Sequence, residues 1–371
     1  MKVPIYKLEF EKNFIKEYQK GIRSILNSDS LSEGNFVEKF EYNFAKFINS
    51  KYALAVSSGT AALEIAFRAV NPRRKKIIIP TNTFFGTAVA VTRSNAQIQL
   101  CDIENDTFSI CPEDLEKKIN KNIGAVCIVH VGGIISKNIK NIIEICKHYK
   151  VPLIEDAAHA HGSYYGNYRA GTIGDIACFS FFPTKVMTTG EGGMVTTNTN
   201  KYLNMMKSLK NFGRDNNDIK FQIYDGHNYK MSEFQGLMGF MDLKRVKKRI
   251  KKRNDIAKKY NEYFKDNEYF WTVNQSKGLC SHYKQIIKTK VNNNLLRSFF
   301  KKNKIILTSE VWKYPIHLQP FYKKNFKNSN FPNANHFSKF HICPPLYPEL
   351  NHKEFNHIIN TFEKATKLFF K

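Results

Sequence analysis

The chain has 371 residues, enough for one large domain and a smaller one, and its 42% hydrophobic and 24% charged residues are typical of a globular protein with a full core. No apolar run reaches the roughly 18 residues of a membrane helix, and the polar N-terminus lacks the apolar centre of an export signal, so we expect a cytoplasmic protein without a membrane partner. The formal net charge of +26 is compatible with nucleic acid, anionic lipid or phosphorylated metabolites as partners.

The densest basic stretch, residues 243–260, offers another explanation for part of this charge. Leu243, Val246, Ile250 and Ile256 recur there at near-helical spacing. This pattern predicts an amphipathic helix with a solvated basic face, and we therefore expect no nucleic-acid partner. The seven cysteines are scattered without metal-ligand spacing, which is typical of reduced thiols in the cytosol.

Short apolar strands alternate with helical segments between about residues 50 and 200. The strands are predicted at KYALAVSS, KKIIIP, AQIQLCDI, IGAVCIVHV, VPLIEDAA, IACFSFF and GMVTT, and a helix at GTAALEIAFRAV. This alternation predicts an α/β domain with a largely parallel sheet. Ligands of such domains bind beyond the carboxyl ends of the strands.

The composition changes after the basic helix. A strand is predicted at SHYKQIIKTKV, a helix at NNLLRSFFKKNKI and a final helix at HKEFNHIINTFEKATKLFF. We expect residues 1–245 to form the large domain with its N-terminal segment, and residues 246–371 a smaller C-terminal domain.

Three segments at strand ends contain candidate functional residues. In SSGTAAL a strand leads through Gly59 and Thr60 into a helix, and this is either an anion site or an ordinary turn with an N-cap. In LIEDAAHAHG two acids end an apolar strand, where an acid either faces a ligand or caps a helix. In FSFFPTKVMTTGEGG, Lys185 is either an exposed loop lysine or a sheltered amine whose pKa is lowered by burial and which can add to a carbonyl.

Three histidines lie in or near these segments, namely His130, His159 and His161. No carboxylate or cysteine completes a metal-ligand spacing around them. We therefore predict no metal site.

Seven segments, taken in order, resemble the DegT/DnrJ/EryC1/StrS family. They are SSGTAAL, IIIPTNTFFGTAVAV, LCDIENDTFSI, the block from LIEDAAHAHG to FFPTK, TTGEGG, GHNYKMSEFQ and YPIHLQPFY. These are sugar aminotransferases that use pyridoxal 5′-phosphate (PLP). The resemblance covers nearly the whole chain. It implies the PLP-dependent transferase fold type I, with a mostly parallel central sheet in the large domain and a smaller C-terminal α+β domain.

The resemblance also implies roles for individual residues. Lys185 is the lysine that binds PLP covalently and later moves a proton between the substrate carbon and the cofactor. Asp156 pairs with the pyridinium nitrogen and keeps the ring protonated, and His159 stacks on the ring. The other implied cofactor contacts are Gly59, Thr60 and Ala61 at the helix start, the Ser180 hydroxyl, Phe84 near the ring, and Asn228 from the other subunit of a dimer.

The implied activity is transfer of an amino group, with glutamate as the donor, to a keto group of a nucleotide-linked deoxysugar for surface polysaccharide or glycan synthesis. Relatives that carry His in place of the lysine deoxygenate sugars instead, so Lys185 favours transamination. The family usually has Arg where this chain has Lys230, and lysine cannot make a bidentate contact with a phosphate or carboxylate. A small phosphorylated ketone or a cyclitol is therefore an alternative acceptor. A DNA-binding protein on the same fold would need an added helix-turn-helix segment, for which the chain has no spare length.

Overall fold

The computed structural model of the protein describes residues 1–71, 75–307 and 311–370. The strands in this part of the chain are β1 (Tyr52–Val56), β2 (Lys76–Pro80), β3 (Ile98–Cys101), β4 (Ile123–Val129), β5 (Leu153–Asp156), β6 (Tyr164–Tyr165), β7 (Tyr168–Arg169), β8 (Ile176–Ser180), β9 (Gly193–Thr197), β10 (Phe270–Thr272), β11 (Ile287–Thr289) and β12 (His341–Ile342).

The α-helices of the described residues lie between and after these strands. They are α1 (Lys12–Leu26), α2 (Asn35–Ile48), α3 (Gly59–Val70), α4 (Phe85–Arg93), α5 (Pro112–Lys118), α6 (Ile139–His148), α7 (Asn200–Lys210), α8 (Glu233–Leu243), α9 (Val246–Phe264), α10 (Asn293–Lys302), α11 (Pro320–Lys323), α12 (Pro332–Lys339) and α13 (His352–Phe369). None of them combines the length and apolar character that a bilayer span requires.

Seven strands form the central sheet in the order β1-β9-β8-β5-β4-β2-β3. The pairs of β2 with β3 and β4, of β4 with β5 and of β5 with β8 are parallel, whereas β9 runs antiparallel to both β1 and β8. The predicted α/β fold with a mostly parallel sheet is confirmed. The carboxyl ends of β1, β2, β4, β5 and β8 consequently meet at one edge, where the loops that follow them lie together.

Both faces of the sheet are buried, as the alternation of side chains along β4 shows. Ala125, Cys127 and Val129 enter the hydrophobic cluster that contains α3 and α4. Val126 and Ile128 enter the opposite cluster, which contains α2 and α6. Helices on both faces explain why the strands are near-continuous apolar runs in the sequence.

The C-terminal part of the chain has a small antiparallel sheet, in the order β10-β11-β12. Phe264, Phe300 and Phe362 pack with this sheet in a third hydrophobic cluster. Val3 belongs to the same cluster, and its N–H donates to the carbonyl of Lys304 at 2.9 Å. Both ends of the chain therefore contribute to this part of the molecule.

Helix α9 connects the clusters. Val246 and Ile250 near its start pack on the large sheet, whereas Tyr260 and Phe264 near its end pack in the third cluster. The predicted division of the chain after residue 245 falls at the start of this helix and stays a prediction.

The predicted basic helix is confirmed, but it does not include the whole basic stretch. Helix α8 ends at Leu243, and the basic helix α9 begins at Val246. Two of its arginines do not lie on the solvated face. Arg249 is buried against the carboxylate of Asp242, with Nη1 and Oδ2 3.0 Å apart. Arg253 is buried as well, and its guanidinium donates to backbone carbonyls.

Candidate active site

The predicted site residues converge at the carboxyl edge of the central sheet. Asp156 and Ser180 are the last residues of β5 and β8, and Gly59 begins α3 shortly after β1. Together with Lys185 they line a cavity of about 820 Å³. The topology thus brings together residues that lie up to about 125 positions apart in the sequence.

The Asp156 carboxylate is buried and held in a fixed orientation. Its Oδ2 accepts a hydrogen bond from the Thr87 hydroxyl at 2.8 Å, and its Oδ1 accepts one from the Ala158 N–H at 3.2 Å. Burial raises the pKa of Asp156, and these two donors together with the nearby Lys185 oppose that rise. Such a carboxylate has little solvent around it and favours pairing with a cationic group in the cavity.

Lys185 lies in the turn that follows β8, where its backbone N–H donates to the carbonyl of Phe182 at 2.9 Å. Within the described residues, its Nζ has no hydrogen bond or carboxylate partner, and it lies 4.6 Å from the centre of the Tyr283 ring. Burial lowers the pKa of Lys185, which favours the neutral amine. A neutral amine is the form that attacks a carbonyl carbon.

The start of α3 forms a tight cradle with two strand ends. A Cβ on Gly59 would lie 2.8 Å from Cβ of Ser180, and a Cβ on Gly193 would lie 2.3 Å from the carbonyl oxygen of Ser58. Only glycine therefore permits this approach of the backbones. Free N–H groups at a helix start and a neighbouring hydroxyl make an anion site.

The residues of the cradle do not all face the cavity. Gly59, Thr60 and Ser180 line it. Ala61 does not, and its N–H donates to the Ser58 hydroxyl at 3.1 Å as part of the N-cap of α3. That Ala61 binds the anion stays a prediction. Such binding requires the Ser58 hydroxyl to rotate away from the Ala61 N–H.

His159 lies within an aromatic group. Its ring stacks on Tyr283, with ring centres 4.1 Å apart, and lies 5.5 Å from Trp312. Its Nδ1 accepts a hydrogen bond from the Gly132 N–H at 3.3 Å, and burial lowers its pKa well below the usual range. His159 is therefore neutral in this site, with Tyr283 on one of its faces. Phe84, the other residue predicted near the ring, also lines the cavity.

Two residues singled out in the sequence lie away from this cavity. Asn228 is exposed and pairs with Asn211 through an isolated bridge. Lys230 donates from Nζ to the side-chain oxygen of Asn211 at 3.2 Å and lies over the ring of Phe212. Neither residue lines the cavity of its own chain.

The other two histidines have structural surroundings. His130 is paired with Glu155, with Nε2 and Oε2 2.9 Å apart, and both side chains are buried. His161 is packed against Phe179 and Phe181, and burial lowers its pKa to about 3. Across residues 1–71, 75–307 and 311–370, no three side chains form a metal-binding group.

The prediction from sequence missed one wall of the cavity. This wall comes from the N-terminus and the C-terminal part of the chain, and its members include Tyr6, Tyr283, Lys284, Arg297, Trp312 and Tyr314. The available signal was the pairing of aromatic and basic residues in SHYK and in VWKY, each next to a short apolar run.

Known proteins share both this fold and this sequence. The structure superposes on PseC of Helicobacter pylori, an aminotransferase involved in the biosynthesis of pseudoaminic acid, with a TM-score of 0.91, 26% identity and full coverage of both chains. The sequence is 30% identical to a UDP-4-amino-4,6-dideoxy-N-acetyl-beta-L-altrosamine transaminase of Campylobacter jejuni over 91% of each chain. It is also 30% identical to the GDP-perosamine synthase of Vibrio cholerae over 96% of this chain and 97% of that one.

The sheet order and the lysine beside a buried acid, together with these similarities, define a PLP-dependent aminotransferase of fold type I. More narrowly, the DegT/DnrJ/EryC1/StrS aminotransferase family model matches residues 12–363. The chain belongs to this family, and the resemblance stated from its motifs is confirmed.

Proposed function

We propose that the protein binds PLP at Lys185 and transfers an amino group from glutamate to a keto group of a nucleotide-linked deoxysugar. One observation carries this proposal: Lys185, Asp156 and the anion cradle at Gly59 all open into one cavity. A covalent anchor, a ring partner and a phosphate site are the three features that this cofactor requires.

The residues present fit the cofactor. The N–H groups of Gly59 and Thr60 and the hydroxyl of Ser180 would hold the phosphate, because a Cβ at Gly59 would fill that space. Asp156 would accept a hydrogen bond from the protonated ring nitrogen, in an orientation fixed by Thr87.

When bound, PLP stores the electron pair released as a proton leaves the substrate carbon. Asp156 supports this storage by keeping the ring nitrogen protonated. The Lys185 amine would take the proton from the substrate carbon and pass it to the cofactor, which is the proton movement that transamination requires. The Tyr283 ring lies beside that amine and stacks on His159, so this pair of rings would restrict the access of water to it.

Two observations support a nucleotide-linked sugar as the acceptor. The named relatives include enzymes for UDP-linked and GDP-linked sugars. In addition, Lys284 and Lys313 on the cavity wall suit the negative charge of a diphosphate. A small phosphorylated ketone or a cyclitol is the alternative acceptor, because this chain has Lys230 in place of the usual arginine.

The proposal includes a homodimer with shared sites. Large apolar side chains are exposed in the segment that precedes Asn228, namely Phe212, Ile219, Phe221, Ile223 and Tyr224. A second copy of the chain would cover them and bring Asn228 to the phosphate of the facing site. The proposed compartment is the cytoplasm, in keeping with the seven free cysteines.

Replacing Lys185 with Ala tests the assignment of the cofactor. The variant should lose both turnover and the absorbance band near the edge of the visible range that the lysine–cofactor bond produces. Lys201→Ala, at an exposed lysine of α7, is the matched control and should retain both. If the band and turnover survive in Lys185→Ala, the proposal is wrong.

A panel of keto acceptors with glutamate as the donor tests the substrate class. We expect turnover with 4-keto-6-deoxy sugars on a nucleoside diphosphate, and none with the same sugars lacking the nucleotide. Turnover confined to small phosphorylated ketones or cyclitols would instead establish the alternative.

A further inference from the structure

We propose that Tyr283 is a positioning residue for the Lys185 amine, whose charged form is stabilised by contact with the face of the Tyr283 ring. This inference rests on the proposed function only in taking Lys185 as the reacting amine.

Three contacts hold the Tyr283 side chain beside Lys185. The Nζ of Lys185 lies 4.6 Å from the centre of the ring. The ring stacks on His159, with centres 4.1 Å apart and planes 27° from parallel. The phenol oxygen is 3.0 Å from the hydroxyl oxygen of Thr184, the residue before Lys185. The ring is thus fixed at its face and at its tip.

The backbone of Tyr283 is anchored separately by Arg253 of α9. The Nη1 of Arg253 donates to the carbonyls of His282 at 3.0 Å, Tyr283 at 3.4 Å and Leu346 at 3.1 Å. Arg253 is only 5% exposed, so this anchor is buried. Strand β11 begins only at Ile287, so the guanidinium replaces ladder hydrogen bonds at this point.

Tyr283 opposes the effect of burial on the amine through its charge and through the face of its ring. Burial lowers the pKa of Lys185, the negative charges of ionised Tyr283 and Asp156 raise it, and the charge of Lys284 lowers it further. A cation within about 6 Å of an aromatic ring centre is attracted by the negative face of the ring. The effect is mutual: burial raises the pKa of Tyr283, but Lys185, Lys284, the Thr184 hydrogen bond and Arg253 together lower it to about 8.

Other groups around the pair act through charge alone or are neutral. His159 has a pKa lowered far below neutral and carries no charge at working pH. Arg253 contributes to lowering the pKa of Tyr283. Tyr283 is thus the group that both contacts Lys185 and favours its protonated form.

The test measures the titration of Lys185 in the full-length protein freed of cofactor. Acetic anhydride labels the protein at a series of pH values, and mass spectrometry quantifies the label on Lys185. In Tyr283→Leu the midpoint of labelling should move to lower pH, which raises the neutral amine at pH 7 by about three- to tenfold. Tyr283→Phe keeps the face of the ring but removes the ionisable phenol, so its midpoint should lie between those of the wild type and Tyr283→Leu.

The midpoint of labelling reports the charge of the Lys185 amine, whereas the rate of labelling also depends on how easily the reagent reaches it. A more open site raises the labelling plateau without moving the midpoint. Lys284→Gln should move the midpoint in the opposite direction, to higher pH, and checks that the assay reports the charge environment of Lys185. Tyr283→Met serves if Tyr283→Leu does not fold. An unchanged or raised midpoint in Tyr283→Leu overturns the proposal, and so does a Tyr283→Phe midpoint that falls as far as that of Tyr283→Leu. If only Tyr283→Met can be measured, an unchanged or raised midpoint overturns it.

This experiment is independent of substrate and cofactor. A failure here leaves the aminotransferase proposal standing. Survival of the absorbance band in Lys185→Ala would overturn that proposal and would not affect the measured midpoints.

Discussion

At the scale of single residues, the site depends on how burial changes two charges. Burial raises the pKa of Asp156 and lowers that of Lys185, so it disfavours the charged form of both. Thr87 opposes the effect on the acid, whereas Tyr283 opposes it on the amine. Thr87 belongs to α4 and Tyr283 to the loop before β11, so each of these two influences can be removed without the other, although Asp156 and Lys185 also act on each other.

Replacing Asp156 with Asn should lower turnover by roughly a hundredfold or more, because an amide does not hold a proton on the cofactor ring nitrogen. The buried hydrogen bond from Thr87 can still be accepted by the amide oxygen, so the fold should persist. The measurement is kcat with glutamate, with circular dichroism as the check on folding. Asp106→Asn, at an exposed acid paired with Lys137, is the control. Turnover equal to that of the control would contradict the role of Asp156.

The sequence predicts some residues of the site much better than others. Lys185, Asp156 and Ser180 stand in motifs at strand ends, where local pattern and topology agree. Tyr283 and Arg253 could not be found in this way, because their function depends on a contact between α9 and a loop 29 or 30 residues later. No local pattern in the sequence indicates such a contact.

At the scale of elements, α2 begins without a cap from its own N-terminal residue Gly34. Instead, the N–H groups of Gly34, Phe36 and Val37 donate to the carboxylate of Glu233, at 2.9 to 3.1 Å. Glu233 is the first residue of α8, so this buried carboxylate joins the starts of two helices.

Glu233→Ala should lower the free energy of unfolding by about 2–3 kcal/mol, because it leaves three amides of α2 without a charged acceptor. The control is Glu38→Ala, at an exposed acid on the first turn of the same helix, which should change it by less than about 0.5 kcal/mol. Urea unfolding measures both. Equal losses in the two variants would show that the cap contributes nothing of its own.

Elements with strong periodicity were predicted well, and the exceptions have physical causes. The seven strands of the central sheet and helices α3, α10 and α13 lie where the sequence predicts them. The predicted strand over residues 281–291 is confined to Ile287–Thr289, since Arg253 binds the carbonyls of the residues before it. The basic stretch is broken at Lys244 and Arg245, a turn that its hydrophobic spacing did not indicate.

At the scale of the whole molecule, the proposed dimer predicts complementation between inactive variants. Lys185→Ala and Asn228→Ala each damage both sites of a homodimer. In a mixed dimer one site keeps both native residues, so co-expression at equal levels should restore about one quarter of the wild-type sites. Activity of the co-purified mixture is the measurement. If the mixture is no more active than Asn228→Ala alone, the sites are not shared.

Buried neutral histidines predict sensitivity to acid. Burial lowers the pKa of His161 and of His341 to about 3, whereas both titrate near 6.5 when unfolded. The unfolded chain therefore binds more protons below pH 6.5, and the free energy of unfolding should fall by roughly 1.4 kcal/mol per pH unit for each histidine down to about pH 3. Stability is greatest above pH 6.5.

Urea unfolding of the cofactor-free protein between pH 7.5 and 4.5 measures this slope. His161→Leu should reduce the slope by up to about 1.4 kcal/mol per pH unit, since one of the buried histidines no longer titrates. His336→Gln, at an exposed histidine, should leave it unchanged. A slope identical in wild type and His161→Leu would contradict the prediction.

The backbone pairing of Val3 with Lys304 and Ile306 has a consequence for biosynthesis. The partners of Val3, Lys304 and Ile306, leave the ribosome about 300 residues after it. At the usual rates of translation, roughly 15 to 60 s pass before Val3 can form these hydrogen bonds. Tyr6, three residues further on, lines the cavity. The nascent chain can thus fold its central sheet early, but its site gains this wall only after the segment around Lys304 has been made.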